Sequence, residues 1–287
     1  MRNSFLLAAI GLVGAGCVSI DRYALRMTAS MLERGRKAAL EEPDYQLGRD
    51  AVASQLKLIE TLLVTEPGNL SLRRLAAEGF SGYAFLFVED AEPHRAKGLY
   101  LRGRDHALAA LALKSPFSGL ASKSIEDFEK ALKRAKKEDV PDLFWAGSGW
   151  GGMINLSKDD AAALADLPKV TLLIKRVYEL DPTFHFGGAD LFFGVYYASR
   201  PTMLGGDPAK AKVHFDWVHK ITRGNYLMAH VLNARWYAVA VQDRELYKQL
   251  LSKVLDSPAG VLPEARLTDE AAKKKASVLL EKIDDFF

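Results

Sequence analysis

Apolar residues recur at helical spacing along nearly the whole chain beyond residue 17, and no stretch alternates apolar and polar positions between turn signals as a strand would. The pattern predicts an all-α protein. Breaks fall at Glu42-Pro43, Glu66-Pro67-Gly68-Asn69, Glu92-Pro93, Ser115-Pro116, Val140-Pro141, Leu167-Pro168, Asp181-Pro182, Gly205-Gly206-Asp207-Pro208, Arg223-Gly224-Asn225 and Ser257-Pro258. Helices of about 12 to 25 residues fit between them, because proline lacks the backbone donor a helix interior needs and glycine is costly to order.

A register is visible inside this array. Ala211, Phe215 and Val218 stand at i, i+4 and i+7, a spacing that places them on one helix face. The same spacing recurs as Ala96, Tyr100, Gly103, as Ser124, Phe128, Ala131, and in degenerate form as Val170, Ile174, Val177. Small, aromatic and small or aliphatic residues in that order resemble the second helix of a tetratricopeptide repeat, and Pro182 stands where such a repeat places its closing proline. Leu180-Asp181-Pro182 leads into a first-helix pattern containing Gly194 and Tyr196, and Thr65 to Asn69 precedes another at Leu70 to Asp90. The expected architecture is antiparallel helical hairpins stacked as cryptic tetratricopeptide repeats in an α-α superhelix. Spacing is not ideal: the junctions before Phe184 and Tyr226 lie 226 minus 184, or 42, residues apart. Longer loops must intervene, and Ser199 to Gly206 is the clearest.

With 49% hydrophobic and 26% charged residues, the chain can bury a sizeable core without disulfides or metal. A net charge of +3 is small for this length and gives no nucleic-acid footprint. The single cysteine, Cys17, changes the picture. It follows Arg2, the apolar run Phe5 to Val13 and the small residues Gly14-Ala15-Gly16, the three parts of a secretory signal too short to span a bilayer comfortably. Gly14-Ala15-Gly16-Cys17 resembles the lipobox of bacterial lipoproteins, with Gly14 where that pattern prefers leucine. The resemblance implies cleavage before Cys17 and lipidation of it. Val18-Ser19 lack the aspartate of inner-membrane retention, which points to the outer membrane. Residues 1–16 are thus expected to be a signal peptide and 17–287 a single helical repeat domain.

Catalytic signals are weak. Gly147, Gly149 and Gly152 satisfy G-x-G-x-x-G, but no strand precedes them and no acid follows at the distance a ribose needs, so close helix packing is the better account. The six histidines, His94, His106, His185, His214, His219 and His230, have no ligand-like spacing, and no metal or cofactor is expected. There is no G-x-S-x-G elbow and no H-E-x-x-H, and the acidic pairs Asp159-Asp160 and Asp284-Asp285 fit helix caps or solvated faces. The chain is expected not to be an enzyme. The informative cluster is aromatic with interspersed arginine: Trp145, Trp150, Tyr196, Tyr197, Arg200, Arg235 and Tyr237, with Phe144 and Trp236 beside them. Apolar walls with a few fixed polar groups suit the capture of a ligand or partner, and an arginine among aromatics either pairs with an acid or faces a cavity or partner.

The lipobox, Ala96 to Asp105, the Gly-Trp-Gly run at Trp150, Gly187-Gly188-Ala189-Asp190, Arg200-Pro201 with Leu204 to Asp207, and the ending from Pro263 to Leu267 through Asp285 together resemble the TRAP transporter T-component family. That resemblance implies a periplasmic lipoprotein of cryptic tetratricopeptide repeats that forms a homotrimer. Its partner would be the substrate-binding P component of a tripartite ATP-independent transporter, with a hydrophobic organic ligand passing through a helical pore. The residues alone leave two further readings open: an envelope lipoprotein that serves as an assembly scaffold, and a periplasmic hydrolase.

Overall fold

A computed structural model describes residues 27–287; the expected signal segment and Cys17 lie outside the described residues. Every regular element among the described residues is helical, so the all-α expectation holds. Helix α1 is described over 27–40. It is followed by α2 (Tyr45–Thr65), α3 (Leu70–Tyr83), α4 (Pro93–Ala112), α5 (Ile125–Leu132), α6 (Val140–Asn155), α7 (Ala161–Ala165) and α8 (Leu167–Leu180). Then come α9 (Phe184–Ala198), α10 (Pro208–Ile221), α11 (Leu227–Leu232), α12 (Arg244–Asp256) and α13 (Arg266–Glu281).

Local chemistry sets the boundaries. Asp44, Asn69, Ser124, Asp160, Asp207 and Asp243 each cap the helix that follows by accepting hydrogen bonds from its first free amides. Prolines that break the sequence pattern open α4, α6, α8 and α10 in their first turns, where the missing donor is harmless. Two helices run on into π-helical segments, Ala84–Val88 after α3 and Asn233–Ala238 after α11. Such segments often accompany functional sites.

Consecutive helices pack as hairpins, α3 with α4, α6 with α8, α9 with α10, and α11 with α12. The first member of each pair faces inward and the second lies outside. Ala211, Phe215 and Val218 on α10 are fully buried, as are Val170, Ile174 and Val177 on α8, so these stripes fill the space between the layers. Ala96, Tyr100 and Gly103 are buried on α4, and so are Phe128 and Ala131 on α5, while Ser124 serves as the cap of that helix. Where α4 crosses α6, a side chain at Gly149 would meet the backbone of Tyr100 at 2.8 Å and of Arg104 at 2.9 Å. The glycine run is therefore a packing device. The array also closes, since α13 packs on α2 and on the π-helical segment after α3.

Candidate functional site

The inward helices surround a cavity of about 680 Å³. Its walls are largely apolar: Leu56 of α2, Phe85 of the first π-helical segment, Trp145 of α6, Leu191 of α9, Met228 of α11 and Leu267 of α13 all contribute. Both π-helical segments line it, through Phe85, Leu86 and Phe87 on one side and Arg235 and Trp236 on the other. A π turn admits one more residue than an α turn, which re-aims the side chains after it.

The charged groups in the wall are few and mostly paired. Arg36 of α1 holds Glu78 of α3 with two bonds of 2.6 Å. Lys275 of α13 binds Asp90 and lies 3.5 Å from Glu89, while Arg235 reaches Asp90 at 2.7 Å. Tyr100 donates to Glu89 at 2.5 Å. Burial pushes the Glu89 carboxyl above its ordinary range against the pull of Lys275, and burial together with Glu89 raises the Tyr100 phenol. Asp90 goes the other way: burial would raise it, but Lys275 and Arg235 outweigh that and hold it low. Lys158 and Arg200 line the same cavity and form no ion pair with any described residue. They rest on aromatic faces instead, Lys158 4.9 Å from the centre of Trp236 and Arg200 3.5 Å from that of Tyr196. Burial first, then the charges of Arg235 and Arg200, lower the Lys158 ammonium from its ordinary value.

A second cavity of about 510 Å³ adjoins the first, and Arg36, Leu40, His185 and Thr268 belong to the walls of both. His185 opens a stretch of unusual backbone: His185, Phe186 and Gly187 have φ of 49°, 59° and 78°. Left-handed backbone at a bulky residue costs roughly 1 to 3 kcal/mol and persists only when surrounding packing enforces it. Here the His185 ring sits among Phe144, Trp145, Phe184 and Phe186, at centroid distances of 5.0 to 6.3 Å. Burial lowers its pKa.

Of the residues expected to bind, Trp145, Tyr196, Arg200 and Arg235 line the large cavity, together with the neighbouring Phe144 and Trp236. Trp150, Tyr197 and Tyr237 do not. Trp150 is 2% exposed in the core between the layers, under the Arg104 guanidinium. Tyr197 stacks on His214 of α10, which in turn binds Asp190 at 2.7 Å. Tyr237 packs into the core formed by α10 to α13. Sequence reasoning missed Arg36, Glu89, Lys158, His185 and Lys275. One of these left a trace: Lys275 interrupts the apolar face Ala271, Ala272, Ala276, Leu279, where a lysine needs a buried partner.

Among the described residues no three potential ligands gather as a metal site would require, and no helix is long and apolar enough to cross a membrane. Fold and cavity together define a class: a helical array wound around a largely apolar, partly open chamber. The family follows from the comparison of sequences. Residues 41–287 match the TRAP transporter T-component family, and the chain belongs to it. The family is a transporter component. An uncharacterized protein of Treponema pallidum (strain Nichols) is 24% identical over 267 residues, covering 86% of this chain and 81% of that protein.

Proposed function

We propose that the protein is a periplasmic, lipid-anchored scaffold that takes an apolar organic compound into its central cavity and exchanges it with the substrate-binding P component of a TRAP transporter. The observation that carries this reading is the 680 Å³ apolar chamber with unpaired cations on one side. Burying apolar surface drives entry at roughly 25 cal/mol per Å², while Lys158 and Arg200 offer charge for a partner. The two cavities share Arg36, Leu40, His185 and Thr268 in their walls, which favours reading them as one route for a ligand. Buried stripes on α8 and α10 support reading the hairpins as cryptic tetratricopeptide repeats. Anchorage through Cys17 and assembly as a homotrimer complete the proposal, the first from the lipobox and the second from the family.

Arg200→Glu tests it. The variant reverses a charge in the cavity wall, beside a loop in which Met203 is 96% exposed, and should weaken binding of the purified P component while helical circular dichroism stays unchanged. If native pull-down from membranes finds no substrate-binding protein, and the variant behaves as wild type, the general envelope scaffold takes its place. Cys17→Ser should release the protein from membranes, and labelled fatty acid should enter only the unmodified chain.

A further inference from the structure

The groups at the wall between the two cavities are not alike. Arg36 is fully engaged by Glu78 through paired 2.6 Å bonds, which leaves that pair neutral as a unit. Leu40 has no polar side-chain atom, and Thr268 brings a hydroxyl but no ring. His185 is different: its ring is enclosed by Phe144, Trp145, Phe184 and Phe186, borders both cavities, and makes no side-chain hydrogen bond to any described residue. His185 is half-buried and lines both cavities, so an imidazole with no protein partner is open to a ligand there, held in place by the strained left-handed turn from His185 to Gly187.

We infer that His185 is the contact for a single un-ionised polar group, a hydroxyl, on an otherwise apolar ligand lying across the two cavities. The inference rests on the apolar-ligand reading above and names the ligand's chemistry. A neutral imidazole offers a donor at one ring nitrogen and an acceptor at the other, and a hydroxyl can answer whichever of the two it meets. A carboxylate returns acceptors only. It would also bring a charge into an aromatic surround, where desolvation is unfavourable. An alkyl end would leave both ring nitrogens unsatisfied. The rest of the ligand would lie along the apolar wall, near Leu191 and Met228.

The test uses the mature protein with octanol, chlorooctane and octanoate as probes. Binding is followed by the fluorescence of Trp145, whose ring lies 5.0 Å from that of His185, and in parallel by the imidazole 15N resonances of histidine-labelled protein. His185→Phe keeps an aromatic ring in the same place. It should weaken octanol by about tenfold, the loss of one buried hydrogen bond, and leave chlorooctane unchanged. Octanol should shift the His185 nitrogens and chlorooctane should not. If His185→Phe fails to fold by circular dichroism, His185→Gly replaces it, since glycine adopts left-handed backbone freely and carries no hydrogen-bonding side chain, and must show the same selective loss. Equal loss for both probes, no loss for either, or octanoate binding more tightly than octanol overturns the assignment while sparing the apolar cavity. No binding of any probe to the wild type overturns both.

Discussion

Phe215 lies fully buried between α9 and α10, and its ring occupies the space that a side chain at Gly194 would need, at 3.0 Å. Truncation there cannot be filled by a backbone already in contact, so Phe215→Ala should destabilise by about 3 to 5 kcal/mol, read as a lower urea midpoint with an unchanged slope. Lys275 poses the opposite case. Its side chain is 8% exposed and faces Glu89 at 13%. Lys275→Met strands a buried carboxylate and should cost about 3 kcal/mol; adding Glu89→Gln should recover part of it, and purely additive losses would show that the two do not interact. At this scale the candidate site was only partly legible. Aromatic residues can be counted in a sequence, but their direction follows from the helix period of roughly 100° per residue. Tyr197 is one position past Tyr196 and turns to α10. Trp150 is five past Trp145, about 140° around the helix, and turns into the core. Lys158 and His185 gave no sequence signal because their role depends on what lies across the cavity.

At the junction of α10 and α11, the rings of His219 and His230 stack 4.2 Å apart. Asn233 lies 3.1 Å from His219, and His230 contacts the Gly224 carbonyl at 3.0 Å. Burial first, then His230 and Lys253 of α12, lower His219 from 6.5 to about 4 against the opposing pull of Asp216. His230 is lowered as well, again chiefly by burial. The folded state then binds fewer protons than the unfolded one between pH 6.5 and about 4, so His219's contribution is intact above that window and lost as pH falls through it. The loss should be on the order of 2 kcal/mol. Asp269 works in the other direction, because burial raises it to about 6 and its contribution declines as pH rises from 3.8 toward that value. His219→Gln should therefore flatten the melting temperature between pH 7 and 4.5 relative to wild type; parallel curves would remove the histidine pair from the account. Most helix boundaries were legible, since capping residues and prolines act within one turn, but the turns capped by Asp160 before α7 and Asp243 before α12 were not among the breaks read from the sequence. The π-helical segments were not. A one-residue expansion leaves the apolar period almost unchanged, and the segments carry Phe85 to Phe87 and Arg235 with Trp236 into the cavity wall. The left-handed turn at His185 escaped for the same reason, with only the following Gly187-Gly188 as a cue.

Across the whole molecule, hairpins pack on their neighbours and the final helix returns to α2 and the segment after α3. The pairing of Asp90 with Lys275 spans 185 positions in sequence. A linear stack of hairpins has two weak ends, each with a neighbour on one side only, and it frays from them. Joining the ends leaves no such place to start. Amide exchange should therefore be as slow in α13 as in α6, and denaturant should give one transition for both; fast exchange confined to α13 would mean that the join does not form in solution. The join also orders events in time. Local hairpins assemble from contacts close in sequence, whereas contacts this distant form slowly because a long loop must close first. The chamber should thus close late in folding, and a chain that stalls before that step would have an open trough of exposed apolar wall in its place.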